Sequence, residues 1–130
     1  MSSIFTRIVQ GEIPCYKILE DNHFLAFLDV FPLVKGHVLV IPKLEIDYIF
    51  DMEDYLLADM ILFSKKVATG MKAAIPSIKI GISVVGLEVP HAHIHLIPLN
   101  NVSDMNFGAK KLKLSDDEML SIASQITSKL

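Results

Sequence analysis

The sequence predicts an α+β fold in which two main helices pack on a five-stranded antiparallel sheet. Short apolar stretches separated by turn residues predict strands that form hairpins, which favours an antiparallel sheet over βαβ units. Residues 54–74 instead carry apolar side chains at three- and four-residue steps, the period of an amphipathic helix. The run SDDE at 115–118 is a capping-box pattern that predicts a second helix over about 115–128.

The first part of the chain alternates short elements with turn signals. Residues 3–9 can form one helical turn, which Gly11 and the extended Ile13-Pro14 pair end. The first three strands are expected at 15–20, 23–30 and 37–41.

The second part of the chain contains the long helix and two further strands. Residues 44–50 are ambiguous, and Asp51 or Asp54 is the expected N-cap of the helix. The last two strands are expected at 78–85 and 91–97, joined by a short turn around Gly86.

Composition limits the classes of function. The 130 residues, 52% of them hydrophobic, suffice for a single domain, expected over residues 1–130 with its motifs within about 4–98. The net charge of −3 argues against general nucleic-acid binding. No apolar stretch reaches the roughly 20 residues that span a bilayer. A single cysteine, Cys15, rules out an intrachain disulfide, and a cytoplasmic protein is expected.

Three histidines alternate with apolar residues in the run His91-Ala92-His93-Ile94-His95. In a strand the imidazoles would share one face, with alternate residues about 6.5–7 Å apart. Packing alone rarely produces this pattern, because each buried ring needs a hydrogen-bond partner.

Two chemistries can use such a triplet. Imidazoles bind zinc or iron, but the outer rings of one strand lie about 13–14 Å apart, so His37, His23 or a carboxylate would have to complete the site. Alternatively, the central ring of His93 attacks phosphorus while the neighbouring rings donate hydrogen bonds to phosphate oxygens. The spacing favours the phosphate.

Three ordered segments of the chain resemble the histidine triad (HIT) superfamily. They are HAHIHLI at 91–97, KGHVLVIPK at 35–43, and an opening with GEIP at 11–14 and LAFLDV at 25–30. The resemblance implies the HIT α+β fold, commonly a homodimer, and hydrolysis or transfer of a nucleoside monophosphate. The substrate would be a phosphoramidate, an acyl-adenylate or a dinucleoside polyphosphate, and no cofactor is expected.

The resemblance also implies roles for individual residues. His93 matches the nucleophile that forms a nucleotidyl-histidine, and His91 and His95 match the flanking triad positions, with His95 the expected contact to the α-phosphate. His37 matches a fourth histidine close to the triad. Asp29 matches an acidic residue that binds the ribose hydroxyls, since a carboxylate can accept two hydrogen bonds from a diol.

A purine base needs an apolar surface, and three side chains are candidates for it. Phe5, Ile8 and Phe27 can line such a pocket, although packing in the core is an equally good explanation. The long helix at 54–74 can pair with its symmetry mate in a dimer.

The chain departs from the family pattern at two places. Ser3 and Thr6 stand where many members carry a zinc-binding Cys-x-x-Cys pair, so no metal site is expected there. Leu87 replaces a glutamine before the triad, and Glu88 falls where some relatives place a hydroxyl. An ionised carboxylate would repel phosphate, so Glu88 is expected to point away, or the leaving group is handled differently. A non-catalytic nucleotide-binding module and a histidine-based metal protein therefore stay as alternatives to the enzyme.

Overall fold

The structure, a computed structural model, describes residues 2–130 and contains one sheet with helices on both faces. The helices are α1 (Ile4–Val9), α2 (Asp54–Ala74) and α3 (Asp116–Thr127), with short 3₁₀ turns at Ile49–Asp51 and Val102–Met105. The strands are β1 (Lys17–Glu20), β2 (Phe24–Leu28), β3 (Val38–Pro42), β4 (Lys79–Ser83) and β5 (Ile94–Leu99). The predicted α+β class is confirmed. The domain limits of 1–130 stay a prediction, and residue 1 lies outside the described residues.

The strand order β1-β2-β3-β5-β4 places the two strands that carry histidines side by side. Every neighbouring pair is antiparallel, as predicted. In the β3–β5 pair Leu39 lies opposite His95, so His37, two residues before Leu39, emerges on the same face of the sheet. The topology thus brings together histidines that are 58 positions apart.

The two faces of the sheet pack against different helices. One face packs under α2 and α3, and its buried side chains include Ile94 and Leu96. The other face carries a smaller cluster with α1, in which Phe5 packs on Phe27 and Leu39. Since side chains alternate along β5, His95 lies on the α1 face. No helix within residues 2–130 combines the length and apolar character needed to cross a membrane.

The predicted start of the last strand at His91 is wrong, because β5 begins at Ile94. Extending the β3–β5 register would place Ala92 opposite Pro42. Proline has no backbone N–H, so it cannot donate a hydrogen bond to the neighbouring strand. The Pro42 carbonyl is instead bonded to the ring of His91 at 2.8 Å. The other strands begin and end within two residues of their predicted limits.

Two further local expectations are wrong. The N-cap of α2 is Glu53, with no side-chain capping bond, rather than Asp51 or Asp54. The connection between β4 and β5 is the ten-residue segment 84–93 rather than a short turn at Gly86. By contrast, Ser115 caps α3 as predicted, accepting from the Glu118 N–H at 3.2 Å.

The core under α2 yields a stability prediction. Met60 is fully buried on the inner face of α2, so Met60→Ala should lower the free energy of unfolding by about 2–5 kcal/mol through lost burial and a cavity. Leu120→Ala, on the exposed face of α3, should change it by less than about 0.5 kcal/mol. Urea denaturation followed by circular dichroism measures both, and equal effects of the two variants would contradict this packing.

Candidate functional site

The ring of His93 is fixed in a single tautomer by its own segment of chain. Its Nδ1 lies 2.7 Å from the carbonyl oxygen of His91, two residues earlier. A carbonyl can only accept, so Nδ1 carries the proton and Nε2 keeps its lone pair. His93 lines a cavity of about 510 Å³, hereafter the histidine cavity, on the α1 side of the sheet. The arrangement leaves Nε2 as the only nitrogen of this ring that can carry a lone pair towards the cavity.

Two consecutive hydrogen bonds, from Leu33 to His37 and from His37 to His95, fix the tautomers of both histidines and are hereafter called the relay. The backbone N–H of Leu33 donates to Nδ1 of His37 at 3.0 Å, so the proton of that ring is on Nε2. Nε2 of His37 then donates to Nδ1 of His95 at 2.9 Å. His95 must therefore carry its own proton on Nε2. Because His95 lines the histidine cavity, this N–H is a donor for a ligand.

Burial keeps the relay uncharged at neutral pH. Burial, with a smaller contribution from His95, lowers the pKa of His37 to about 3. Burial, with a smaller contribution from His93, lowers the pKa of His95 to about 4. Neutral rings are what the donor–acceptor order requires, since a protonated His95 would have two N–H groups and no acceptor for His37.

His91 differs from the other two members of the triplet. Its Nε2 donates to the Pro42 carbonyl at 2.8 Å, and its Nδ1 accepts from the hydroxyl of Ser3 at 2.7 Å. Both nitrogens are engaged within the protein, so of the two flanking rings only His95 can donate to a ligand. His91 instead contributes its carbonyl oxygen, which orients His93.

The hydroxyls of Ser3 and Thr6 form a hydrogen-bonded cluster with His91 and Glu45. The carboxylate of Glu45 accepts from the Ser3 N–H and from the Thr6 hydroxyl, each at 2.6 Å. Glu45 lies in segment 44–50, for which the sequence predicted no definite structure. Only the tertiary structure shows that it binds the first turn of α1. Two hydroxyls already committed to hydrogen bonds are poor zinc ligands compared with thiolates, so these residues do not fit a structural zinc site.

One group with the spacing of metal ligands exists within residues 2–130, namely Asp29, His37 and His95. Their ligand atoms lie within 4.8 Å of one another. Binding an ion there would require the Nε2 of His37 to lose its proton. The proton would move to Nδ1 of His37, which could then no longer accept from the Leu33 N–H. One of these two buried N–H donors would be left without an acceptor. This donor set therefore does not fit a metal.

The candidate substrate-binding residues line the histidine cavity together. Phe5, Ile8 and Phe27 form part of its apolar wall, and the edge of Phe5 packs on the His93 ring at a centroid distance of 5.0 Å. Asp29 lies on the same cavity, with one oxygen accepting from the Phe31 N–H at 2.8 Å and the other 3.6 Å from Nε2 of His37. Burial raises the pKa of Asp29.

Several residues occupy positions that the sequence did not reveal. Phe107 packs on the His95 ring at a centroid distance of 4.7 Å, and Lys111 lines the same cavity. Both belong to a polar segment with no motif, so no sequence signal pointed to them. Leu87 and Glu88 lie at the exposed rim of the cavity, so Glu88 is near the site, and whether the leaving group is handled differently there stays a prediction.

Comparisons with known proteins agree with this fold. The HIT domain family model matches residues 10–102. An adenosine 5'-monophosphoramidase of Schizosaccharomyces pombe is 34% identical over 100% of this chain and 99% of its own. A Hit-like protein from Bartonella henselae superposes with a TM-score of 0.85 at 27% identity, covering 99% and 97% of the two chains. A zinc-bound histidine triad protein from Mycobacterium smegmatis reaches 0.84 at 26% identity, covering 99% and 93%.

The buried relay predicts that the protein loses stability in mild acid. His95 has its pKa lowered from 6.5 to about 4, so below pH 6.5 the unfolded state binds a proton that the native state does not. Each such histidine should lower the free energy of unfolding by up to about 1.4 kcal/mol per pH unit between about pH 6 and 5. His95→Gln should make this pH dependence shallower by up to that amount.

Urea unfolding at a series of pH values measures the slope. His23→Gln, which removes an exposed histidine beside a turn, is the matched control. An unchanged slope in the His95 variant would contradict a neutral, buried His95.

Proposed function

The chain belongs to the HIT domain family, and from that premise we propose that it is a purine nucleotide phosphoramidase or a related nucleotidyl hydrolase. It would release a nucleoside monophosphate from a phosphoramidate, an acyl-adenylate or a dinucleoside polyphosphate. One observation carries the proposal: the bond from Nδ1 of His93 to the His91 carbonyl leaves the Nε2 lone pair free beside the donor of His95. The S. pombe relative, named as an adenosine 5'-monophosphoramidase, supports the same chemistry.

The reaction proceeds in two displacements at the α-phosphorus. In the first, Nε2 of His93 forms a bond to phosphorus while the leaving group departs with the electron pair of its own bond; the amine of a phosphoramidate, protonated on nitrogen before this step, leaves as neutral ammonia. The ring gains positive charge, and the His91 carbonyl stabilises that charge through Nδ1–H. In the second, water attacks phosphorus and gives a proton to the departed leaving group, the bond to His93 breaks with its electron pair returning to Nε2, and the nucleoside monophosphate is released.

His95 is proposed to stabilise the charge on the phosphoryl oxygens. The relay from Leu33 through His37 leaves one N–H on His95 for the ligand. Its orientation is set before substrate binds, so little reorganisation is needed as negative charge develops in the transition state. His37 acts through His95 and is a positioning residue.

The remaining wall of the cavity suits a nucleoside. We assign the ribose hydroxyls to Asp29, because one of its carboxylate oxygens is already anchored by the Phe31 N–H. We assign the purine base to the apolar wall formed by Phe5, Ile8 and Phe27. A reducing compartment such as the cytoplasm is proposed from the single cysteine, Cys15.

A non-catalytic nucleotide-binding module is the second candidate. The exposed Glu88 at the cavity rim favours it, because a carboxylate there opposes the approach of phosphate and offers no hydroxyl to the leaving group. A protein that binds AMP but turns over no phosphoramidate would have this function.

A homodimer is proposed through the free edge of β4 and the adjoining part of α2. β4 lies at the end of the sheet, and α2 packs against it. Ile82 on β4 and Leu62 on α2 are 55% and 63% exposed, so both apolar side chains are available to an interface. Two antiparallel β4 edges can pair about a two-fold axis, which buries the same patch of both copies.

Removing the nucleophile tests the enzyme hypothesis. His93→Ala should lower the rate of AMP release from adenosine 5'-phosphoramidate by at least about a thousandfold, because the covalent route is lost. Mass spectrometry of wild-type protein quenched at alkaline pH should detect a nucleotidyl adduct that the variant lacks.

His23→Ala, which removes an exposed histidine outside the histidine cavity, is the control and should retain wild-type turnover. Equal turnover by the His93 variant and wild type would eliminate His93 as nucleophile. Wild-type binding of AMP without any turnover would support the binding module instead.

Sedimentation velocity tests the dimer. Ile82→Asp should shift the protein towards monomer, because the carboxylate would have to be buried in the interface. Leu120→Asp, at a similarly exposed position on α3, should leave the assembly unchanged. A monomeric wild type, or equal effects of both substitutions, would contradict the proposed interface.

A further inference from the structure

The segment that follows β5 contacts the histidine cavity although no step of the proposed reaction uses it. Residues 101–114, hereafter the strap, lie almost entirely beyond the residues that the HIT family model matches. Phe107 and Lys111 of the strap line the cavity. The strap also contacts both ends of the relay, the Leu33 end through its backbone and the His95 end through a side chain.

The contact at the start of the relay is a backbone hydrogen bond. The N–H of Leu112 donates to the carbonyl oxygen of Pro32 at 2.8 Å. That carbonyl belongs to the same peptide group as the N–H of Leu33, which donates to Nδ1 of His37 at 3.0 Å. Because a peptide group is planar and rigid, a bond that holds its carbonyl also restrains the direction of its N–H. The strap therefore helps to aim the first donor of the relay.

Burial makes this hydrogen bond costly to lose. Pro32 and Leu33 are both buried, and a buried carbonyl without a partner is unfavourable. Hydrogen bonds that share a peptide group also polarise one another, so a bond accepted by the Pro32 carbonyl strengthens the Leu33 N–H as a donor. The relay thus extends by one further hydrogen bond, which begins at the Leu112 N–H.

The contact at the end of the relay is between aromatic rings. Phe107 packs edge-to-face on His95 at a centroid distance of 4.7 Å, and on His37 at 6.5 Å. The hydrogen bond from His37 fixes one nitrogen of the His95 ring but leaves the ring free to tilt. A second ring packed at this distance restricts that tilt, because aromatic pairs prefer a defined relative orientation. Phe107 therefore helps to fix the direction of the Nε2–H of His95.

The two contacts are joined within the strap itself. The ammonium of Lys111 donates to the carbonyl oxygens of Phe107 and Ala109, at 2.5 and 3.2 Å. Lys111 directly precedes Leu112 in the chain. This closed turn keeps Phe107 at a fixed position relative to the Leu112 N–H, so the strap can hold both ends of the relay at once.

We propose that the strap is a positioning element that, through Leu112 and Phe107, keeps the N–H of His95 directed into the histidine cavity. The proposal rests on the nucleotide hydrolysis proposed above, in which this N–H stabilises charge on the phosphoryl oxygens. A donor contributes most when its direction is set before charge develops, and a small displacement of a positioned group slows a reaction strongly. Phe107 and Leu112 act through His95 and are positioning residues.

Steady-state kinetics with adenosine 5'-phosphoramidate tests each contact separately. Phe107→Ala removes the phenyl ring and Leu112→Pro removes the N–H. Each should lower kcat by about tenfold or more while KM changes by less than about threefold, because alignment of the donor matters most in the transition state. Phe107→Tyr keeps the ring and Leu112→Ala keeps the N–H, so each should recover most of the lost kcat.

Val102→Ala is the control, because this residue of the strap is 93% exposed and lies outside the cavity lining. It should retain wild-type kcat and KM. Equal losses in Leu112→Ala and Leu112→Pro would overturn the role of the N–H. A rise in KM without a fall in kcat would overturn the proposal, because the strap would then only help to bind substrate.

A double-mutant cycle tests whether Leu112 acts through the relay. His37→Phe breaks the relay between Leu33 and His95, so Leu112→Pro should lower kcat by less than about twofold further in that background. A full additional loss in the His37→Phe background would overturn the connection.

Nuclear magnetic resonance of the histidine rings gives a measurement that does not depend on turnover. Long-range proton–nitrogen spectra of nitrogen-15-labelled protein distinguish the two tautomers of each ring. At neutral pH and without ligand, wild-type His37 and His95 should both carry the proton on Nε2 only. Phe107→Ala and Leu112→Pro should each introduce a measurable fraction of the other tautomer at His95. Unchanged spectra would overturn the proposal even if kcat fell, because the strap would then act elsewhere.

The two measurements separate this proposal from the proposed function. Wild type that shows the single tautomers, loses them in the strap variants and releases no AMP from any phosphoramidate would contradict hydrolysis while supporting the hold of the strap on the relay. Wild-type turnover that both strap variants retain in full would support hydrolysis and overturn the role of the strap.

Discussion

The hydrogen bond from Nδ1 of His93 to the carbonyl of His91 is the constraint on which the site depends. It fixes both the orientation of the ring and the nitrogen that holds the lone pair. A backbone carbonyl suits this purpose because it cannot donate, whereas a hydroxyl or another imidazole would permit either tautomer. The partner lies two residues earlier, so the interaction holds only if segment 91–93 keeps one conformation.

Much of the surrounding structure holds that segment. The ring of His91 is bonded to Ser3 on one side and to Pro42 on the other, and the Ala92 N–H donates to the Ile46 carbonyl at 2.6 Å. These bonds connect the start of α1, the end of β3 and the loop after β3. Glu45 binds the first turn of α1 and so completes the connection. The helix that carries Phe5 onto His93 is thereby fixed by the same cluster that orients His93.

The sequence predicted elements whose signals are local. The alternation of Ile94 and Leu96 with His95 correctly assigned the faces of β5, and Ser115 correctly marked the start of α3. The sequence-based predictions failed where a residue that is distant in the sequence determines the local structure. β5 begins three residues later than predicted because Pro42, on the neighbouring strand, has no N–H to donate to β5 and its carbonyl is bonded to a side chain. Glu45, Phe107 and Lys111 carry no motif, and only the tertiary fold brings them to the histidines.

The relay through His37 and His95 has a direction. Each hydrogen bond is donated in the same direction, from the Leu33 amide towards the cavity. The low pKa values of both rings keep them unprotonated, which preserves this direction. Such a relay can present a hydrogen to an anion, but it has no lone pair with which to take one away. In the reaction proposed above, the water that attacks the nucleotidyl-histidine would therefore have to give its proton to another acceptor, and a departed amine is a base of the required kind.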